Sequence, residues 1–304
     1  MTDSTESSVT PAAILSPRVA LIPACNEERF IGSVVLKARR FVDVVLVVDD
    51  GSQDETAALA ESAGAQVIRQ ANSGKAGAVN AGLARCRELN AAVVVLLDGD
   101  GQHNAADIPG VLAPVIAGEA DVVIGSRFIG LSSDTPGWRV VGQQALTLAT
   151  NFASGVTLSD SQTGFRALSQ RAVQQLTFRS QGFSVESEMQ FLVRRHDLIV
   201  AEVPIRVNYD EKPKRNPVTH GMQVLNGIIS MISQHRPLFF FGTPGVTLIG
   251  IGLLLAALVA DRYNTYERLA VGWAIVSMTV ITIGALTAFT GLILHTIRAY
   301  LHDR

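Results

Sequence analysis

Residues 92–98 read AVVVLLD and residues 98–103 read DGDGQH, so two carboxylates one residue apart close an apolar run. Carboxylate oxygens are hard ligands, and a pair of them at a strand end suits a divalent cation. A diphosphate leaving group needs such an ion, because charge develops on it as the bond to the departing group breaks. Asp-x-Asp by itself is a common polar turn. Its place after a strand, with Gln102 and His103 alongside, is what singles out Asp98 and Asp100. His103 suits a supporting or turn role better than that of a ligand.

Three further segments have the same placement. PACNEE at 23–28 closes an apolar run, where Asn26 and Glu27 offer hydrogen bonds to a base or a ribose. VVDDGSQDET at 47–56 puts Asp49 and Asp50 at another strand end, where adjacent acids are a poor structural choice without a ligand. Acids at strand ends suit ribose hydroxyls or a base N–H. NSGKAGAVNAG at 72–82 combines a glycine-rich turn, the cation Lys75 and a helix start, a cradle for phosphate or base. It lacks the GxxxxGK[ST] spacing, which argues against an ATPase. Each segment alone is weak; their order and shared placement make them one set. Of the two cysteines, Cys25 and Cys86, a pair too small for a disulfide framework, Cys25 reads better as a small core residue than as a site residue.

The elements that must position these groups follow from the pattern. Apolar, β-branched runs at 19–23, 44–50, 65–69, 92–98 and 121–126 alternate with helix-forming stretches at 27–40, 54–63 and 75–89. That alternation predicts an α/β fold with a mostly parallel sheet and helices on both faces. Asp54 fits an N-cap after the Gly51-Ser52 turn. In open α/β sheets, ligands bind outside the carboxyl ends of the strands. Asn26, Asp49, Asp50, Asp98, Asp100 and Arg127 are thus expected to converge on one crevice.

The chain has 304 residues, a net charge of −2 and a hydrophobic share of 48%, with a mean hydropathy of +0.29. The charge balance argues against a nucleic-acid partner. Residues 1–17 are polar and read as a disordered tail without an export signal, which would leave the domain over 18–217 on the cytoplasmic side. Over 237–304 two uncharged apolar runs, 238–260 and 269–294, are each long enough to cross a hydrocarbon core of about 30 Å. Residues 261–268 read as a polar loop between them, with Tyr263 and Tyr266 at interface depth. Arg236, Arg298 and Arg304 flank the pair and favour cytoplasmic chain ends. Residues 218–236 carry an apolar stripe through Val218, Met222, Leu225, Ile228, Ile229 and Ile232, fit either to lie on a membrane or to pack on the preceding domain.

With PACNEE, VVDDGS, NSGKAGA, DGDGQH, GSRF at 125–128 and SQTGFRAL at 161–168 in this order, the chain resembles the family 2 glycosyltransferases of the GT-A fold. More narrowly, it is similar to the polyprenyl-phosphate and dolichyl-phosphate hexose synthases, over about Val19 to Val207. The resemblance implies an inverting enzyme with a nucleotide-sugar donor, contacted by Pro23, Asn26, Glu27, Asp50, Lys75 and Asp98. It implies Mg²⁺ or Mn²⁺ held by Asp98, Asp100 and Gln102, and Arg127 and Arg139 near a lipid phosphate. Catalysis would rest on Asp98, Asp100 and Arg127. The usual Arg-x-x-Gly-x-Ser-Lys segment is replaced by NYDEKPKRNPVTHG at 208–221, whose Lys212, Lys214 and Arg215 are candidate phosphate ligands, and Gln143 stands where a serine is usual four residues after Arg139.

A phosphate monoester is already anionic and nucleophilic, so it needs cations and a membrane location rather than a strong base. The expected function is transfer of a hexose from a UDP- or GDP-sugar to a polyprenyl or dolichyl phosphate at the cytoplasmic membrane face. Membrane lipids are then expected partners, and a homo-oligomer is left open. Two other classes stand beside it, a polysaccharide glycosyltransferase and a non-catalytic membrane protein with a transferase-like fold. Glu186 and Glu188 fit contacts to sugar hydroxyls and a solvated helix face equally well.

Overall fold

Along β1 (Arg18–Ala24) successive side chains fall alternately into two separate cores. Ala20 and Ile22 join one, and Val19 and Leu21 the other, all four fully buried. β2 (Val44–Asp50) and β4 (Val93–Leu96) divide their valines and leucines the same way. A strand buried on both faces needs no polar alternation, which is why these segments read as continuous apolar runs. One core is closed by α1 (Ile31–Ala38) and α4 (Ile108–Ile116). The other is closed by α3 (Gly74–Glu88), α6 (Gln170–Gln175) and α7 (Val185–Arg195).

The computed structural model describes residues 16–130, 137–179, 185–207, 229, 233, 236–266 and 270–302. The chain divides into two units, Met1–Asn216 and Pro217–Arg304. In the first, β3 (Gln66–Gln70), β5 (Val122–Ser126), β6 (Arg166–Ser169) and β7 (Val200–Pro204) complete a seven-stranded sheet in the order β3-β2-β1-β4-β6-β5-β7. Neighbours run parallel except at β6, which is antiparallel to both β4 and β5. Ala167 sits between Val95 and Val123 in that register. The expected mostly parallel α/β architecture is thus present, with β6 as an insertion that the apolar pattern does not show.

Element limits differ from expectation where local chemistry intervenes. The second helix, α2, runs Thr56–Ser62, and its N-cap position is Glu55, which makes no side-chain cap. Asp54 serves this helix from one residue further out, its Oδ1 accepting the Thr56 N–H at 3.0 Å. α4 was not legible because Pro109, Gly110 and Pro114 interrupt its pattern. It starts at a proline-compatible first turn, after Asn104 Oδ1 accepts the Ala106 N–H at 3.0 Å. α5 (Gly137–Ser154) completes the described helices of this unit.

In the second unit, a π-helical turn at Leu238–Gly242 leads into α8 (Thr243–Tyr266), and α9 runs Val271–His302. Two stretches are long and apolar enough to span a bilayer, Leu238–Tyr266 with hydropathy 2.1 and Val271–Ile297 with hydropathy 1.9. The polar loop expected from residue 261 is a correction: the helix continues through Tyr266, since Asp261-Arg262-Tyr263-Asn264 contains no glycine or proline to end it. Thr243, Thr247, Thr279, Thr282, Thr287, Thr290 and Thr296 each return their hydroxyl to the carbonyl four residues earlier, at 2.6–3.0 Å. No hydroxyl in that set then needs a partner from lipid. The two helices touch through glycine: a Cβ on Gly284 would stand 2.8 Å from the Gly245 carbonyl oxygen.

Candidate active site

The turn after β4 is built for close approach. Gly101 takes a left-handed φ of 74° beneath Phe30. Gly164 passes so near Asp98 that any side chain there would overlap the carboxylate. These constraints aim Asp98 into a crevice that Pro23, Lys75, Arg166 and Glu186 also line. Lys75 lies in the first turn of α3, where the helix dipole disfavours a cation. Two carboxylates offset that cost. Its Nζ donates to Asp98 Oδ1 at 2.5 Å and meets Glu186 Oε1 at 2.6 Å. Burial alone would lower the Lys75 pKa, but Asp98 and Glu186 outweigh it and hold it above the ordinary lysine value. Burial likewise pushes Asp98 up, and Lys75 with His103 more than reverses it, leaving that carboxyl well below the usual range.

Asp100 differs. Its Oδ1 accepts the Gln102 N–H at 3.0 Å, and burial together with the neighbouring Asp98 charge raises its pKa. His103 is held beside Asp98, Nε2 to Oδ2 at 3.4 Å, with its ring 5.2 Å from that of Phe165. Its buried Nδ1 has no hydrogen-bond partner among the described residues. Among the described residues no three His, Cys, Asp or Glu side chains form a metal cluster. Two carboxylates, one destabilised as an anion by the other, nevertheless fit a hard divalent ion that takes its remaining ligands from a diphosphate and water, as Mg²⁺ commonly does. Gln102, exposed on the same turn, is within the sequence of that donor set.

The other expected site residues gather at the ends of β1 and β2, but several are already occupied. Asn26 adopts φ 56°, its N–H donating to Ser52 Oγ at 2.9 Å and its Oδ1 accepting the Gln53 N–H at 2.9 Å. It shapes the loop after β2, at the strand end where the contact with base or ribose is expected. The Glu27 N–H donates to Thr56 Oγ1 at 2.8 Å, which fixes the start of the first α-turn against α2. Asp49 accepts the Ser52 N–H at 3.1 Å, and Asp50 Oδ1 accepts from Gln70 Nε2 and the Ser73 N–H, both at 2.8 Å. Adjacent acids at this strand end therefore have internal partners. Cys25 is half-buried at the same end rather than in the core, its thiol pushed up by burial and then by Asp50 and Asp49.

Arg127 has a partner within its own unit. Nε and Nη2 reach Asp160 Oδ2 and Oδ1 at 2.6 and 2.7 Å, and both residues are buried. The bidentate pair anchors the guanidinium that the resemblance places near a lipid phosphate. The Arg139 backbone lies in α5, and its side chain is outside the described residues, as are Lys212, Lys214, Arg215 and most of the stripe over 218–236.

One buried group escaped sequence reasoning, and for Glu186 one of two open readings is removed. Glu186 is buried, not on a solvated face, and pairs with Lys75. Arg166, fully buried, donates to the carbonyls of Thr163, Ser161 and Glu186 at 2.8–3.0 Å and so ties the 161–166 turn to the start of α7. An arginine between TGF and an apolar pair was the available signal for it. Glu188, by contrast, accepts the Arg179 N–H at 2.7 Å.

Comparison with known proteins bears on this geometry. The description "Glycosyl transferase family 2" matches residues 19–177, just over half of the chain. A UDP-N-acetylglucosamine–dolichyl-phosphate N-acetylglucosaminyltransferase of Methanococcus voltae is 32% identical over 63% of this chain and 85% of its own. The glycosyltransferase AglJ of Haloferax volcanii is 32% identical over 87% of this chain and 88% of its own. Among solved structures, glucosyl-3-phosphoglycerate synthase from Mycobacterium tuberculosis in complex with Mn²⁺, uridine diphosphate and glucosyl-3-phosphoglycerate superposes with a TM-score of 0.56. It is 25% identical, covering 71% of this chain and 80% of that one.

Proposed function

The chain belongs to glycosyl transferase family 2, and from that premise we propose that it moves a hexose from a UDP- or GDP-sugar to a polyprenyl or dolichyl phosphate. The observation that carries the reading is the β4 turn, where Asp98 and Asp100 stand one residue apart and Asp100, its carboxyl pushed up by burial and by Asp98, has no ion-pair partner within 4 Å among the described residues. A diphosphate with its counter-ion supplies what that turn lacks. Bound by Asp98, Asp100 and Gln102, a Mg²⁺ or Mn²⁺ ion would neutralise the departing nucleoside diphosphate. Pro23, Glu27, Asp50 and Lys75 line or shape the donor side of the crevice.

The acceptor oxygen attacks the anomeric carbon from the face opposite the diphosphate. A carbon–oxygen bond to the lipid phosphate forms, the bond to the diphosphate oxygen breaks, and the anomeric centre inverts. A phosphate acceptor carries no proton that must be removed first, so no general base is assigned. Cations hold it: Arg139, Lys212, Lys214 and Arg215 take that role here, while Arg127 braces the loop through Asp160. The two apolar spans bring the enzyme to its lipid, with chain ends and active site on the cytoplasmic side, favoured by Arg236, Arg298 and Arg304. The relative that acts on dolichyl phosphate supports the acceptor class.

Purified full-length protein in detergent, given a panel of labelled UDP- and GDP-sugars, polyprenyl phosphate and Mn²⁺, is expected to form one sugar-phosphoryl lipid and to stop in EDTA. Transfer only to a saccharide hydroxyl, or undiminished transfer in EDTA, would overturn the reading.

A further inference from the structure

Both oxygens of Asp98 are in use. Lys75 Nζ holds Oδ1 at 2.5 Å, and His103 Nε2 stands 3.4 Å from Oδ2. A divalent ion arriving at Asp98 must displace one of them or share its oxygen. The two partners differ in where they can go. The His103 side chain is only 9% exposed and packs on Phe165, its other ring nitrogen without a hydrogen-bond partner among the described residues. Lys75 already touches a second carboxylate, Glu186 Oε1 at 2.6 Å. Glu186 in turn is fixed at the start of α7, where its carbonyl accepts from Arg166 Nη1 at 3.0 Å.

We propose that Lys75 is a built-in counter-cation for Asp98 that the divalent ion replaces, and that Glu186 is the positioning residue that keeps Lys75 in the crevice once it is released. The inference rests on the reading of Asp98 and Asp100 as metal ligands. Its physical logic is charge balance. Without a metal, the ammonium supplies the positive charge between the Asp98 and Glu186 carboxylates, 2.5 Å from one and 2.6 Å from the other. When the ion binds, the ammonium keeps a hydrogen-bonded partner in Glu186, so that carboxylate, its side chain 10% exposed, stays paired. It then stays beside the place of the leaving diphosphate, where a cation is useful.

The scheme predicts opposite signs for two changes in one ion-paired trio. Mn²⁺ binding to the full-length protein in detergent is read by electron paramagnetic resonance, without nucleotide. Lys75→Met removes the competitor and is expected to tighten Mn²⁺ binding by about tenfold. Glu186→Gln removes the alternative partner, confines Lys75 to Asp98 and is expected to weaken binding by about as much. Loss of a nearby negative charge would also weaken a cation, so the double variant decides. In the exchange scheme Glu186→Gln has little effect once Lys75 is methionine. Equal weakening in both backgrounds overturns the proposal, as does unchanged or weaker binding by Lys75→Met. Lys75→Gln carries the same reading should the methionine variant not fold. Asp100→Asn, measured with UDP present, separates the two levels. If it leaves Mn²⁺ affinity intact, the assignment of the metal ligands has failed and not merely the exchange.

Discussion

At the end of β2, Asp49 and Asp50 are 6% and 4% exposed, and each accepts hydrogen bonds from its own or the next loop. At the end of β4, Asp98 is matched by side chains from α3 and the following turn, while Asp100 has a single backbone donor and a like charge beside it. Both pairs look alike in sequence, two acids after an apolar run. Adjacent acids alternate across the strand and find separate loop partners. Acids separated by one glycine crowd onto a turn, and the second is left short of positive charge. The comparison teaches that an acid at a strand end is a ligand candidate only to the extent that its own fold leaves it unmatched.

Substitutions can break this contrast. Asp100→Asn keeps shape and removes charge, and transfer is expected to fall by about a thousandfold or more, with the fold intact by circular dichroism. Normal turnover would place Asp100 among the matched acids. The buried Asp160 is the opposite extreme. Asp160→Ala removes the buried bidentate acceptor of the Arg127 guanidinium, and denaturant melts should show a loss of about 3 kcal/mol. Asp50→Asn removes a charged acceptor while keeping one oxygen. It is expected to cost about 1–2 kcal/mol, with Mn²⁺ affinity held within about twofold; a large loss of Mn²⁺ would erase the distinction between the two ends.

The smallest effect belongs to Asp43, at the start of β2, which accepts the Arg18 N–H at 2.7 Å and pairs with the Arg18 side chain. Those hydrogen bonds lower its pKa. A lowered carboxyl stabilises the fold above the unfolded-chain value, about 3.9, and that gain disappears as pH falls through the folded value. With side chains 35% and 33% exposed, screening keeps it below about 1 kcal/mol, so Asp43→Ala should differ from the parent at pH 7 and merge with it in acid.

Thiol labelling tests the β2 end independently. Cys86 is fully buried and its thiol is pushed up to about 12 by burial, so only Cys25 should react with iodoacetamide in the native protein. Because Asp50 adds to the burial that raises Cys25, Asp50→Asn is expected to speed that reaction by about two- to fivefold.

The first half of the sheet was readable because β1, β2 and β4 are buried on both faces and so appear as unbroken apolar runs. β6 was not: four residues, RALS, pair on both sides and present no run. α7 begins VESEMQ, a composition that fits a solvated helix until Lys75 and Arg166 are brought to it. The motif residues around the crevice were legible by type and placement. Their partners were not, because Arg127 with Asp160 and Lys75 with Glu186 pair between distant segments, and no local period encodes which charge meets which.

The antiparallel β6 also sets an order of assembly. β3, β2, β1 and β4 form a contiguous half-sheet from the first 96 residues, all parallel and adjacent. β5 has no neighbour in that half, since β6 lies between it and β4. A chain emerging from the ribosome can therefore close its early half while β5 waits, unpaired, for residues 166–169 to be synthesised. The Asp98 turn belongs to the early half, whereas Gly164 and Glu186 arrive with the late one. Nascent chains halted before β6 should thus carry the acidic turn yet lack the wall that confines it, and the interval between the two halves is the period in which an unpaired β5 is exposed to aggregation.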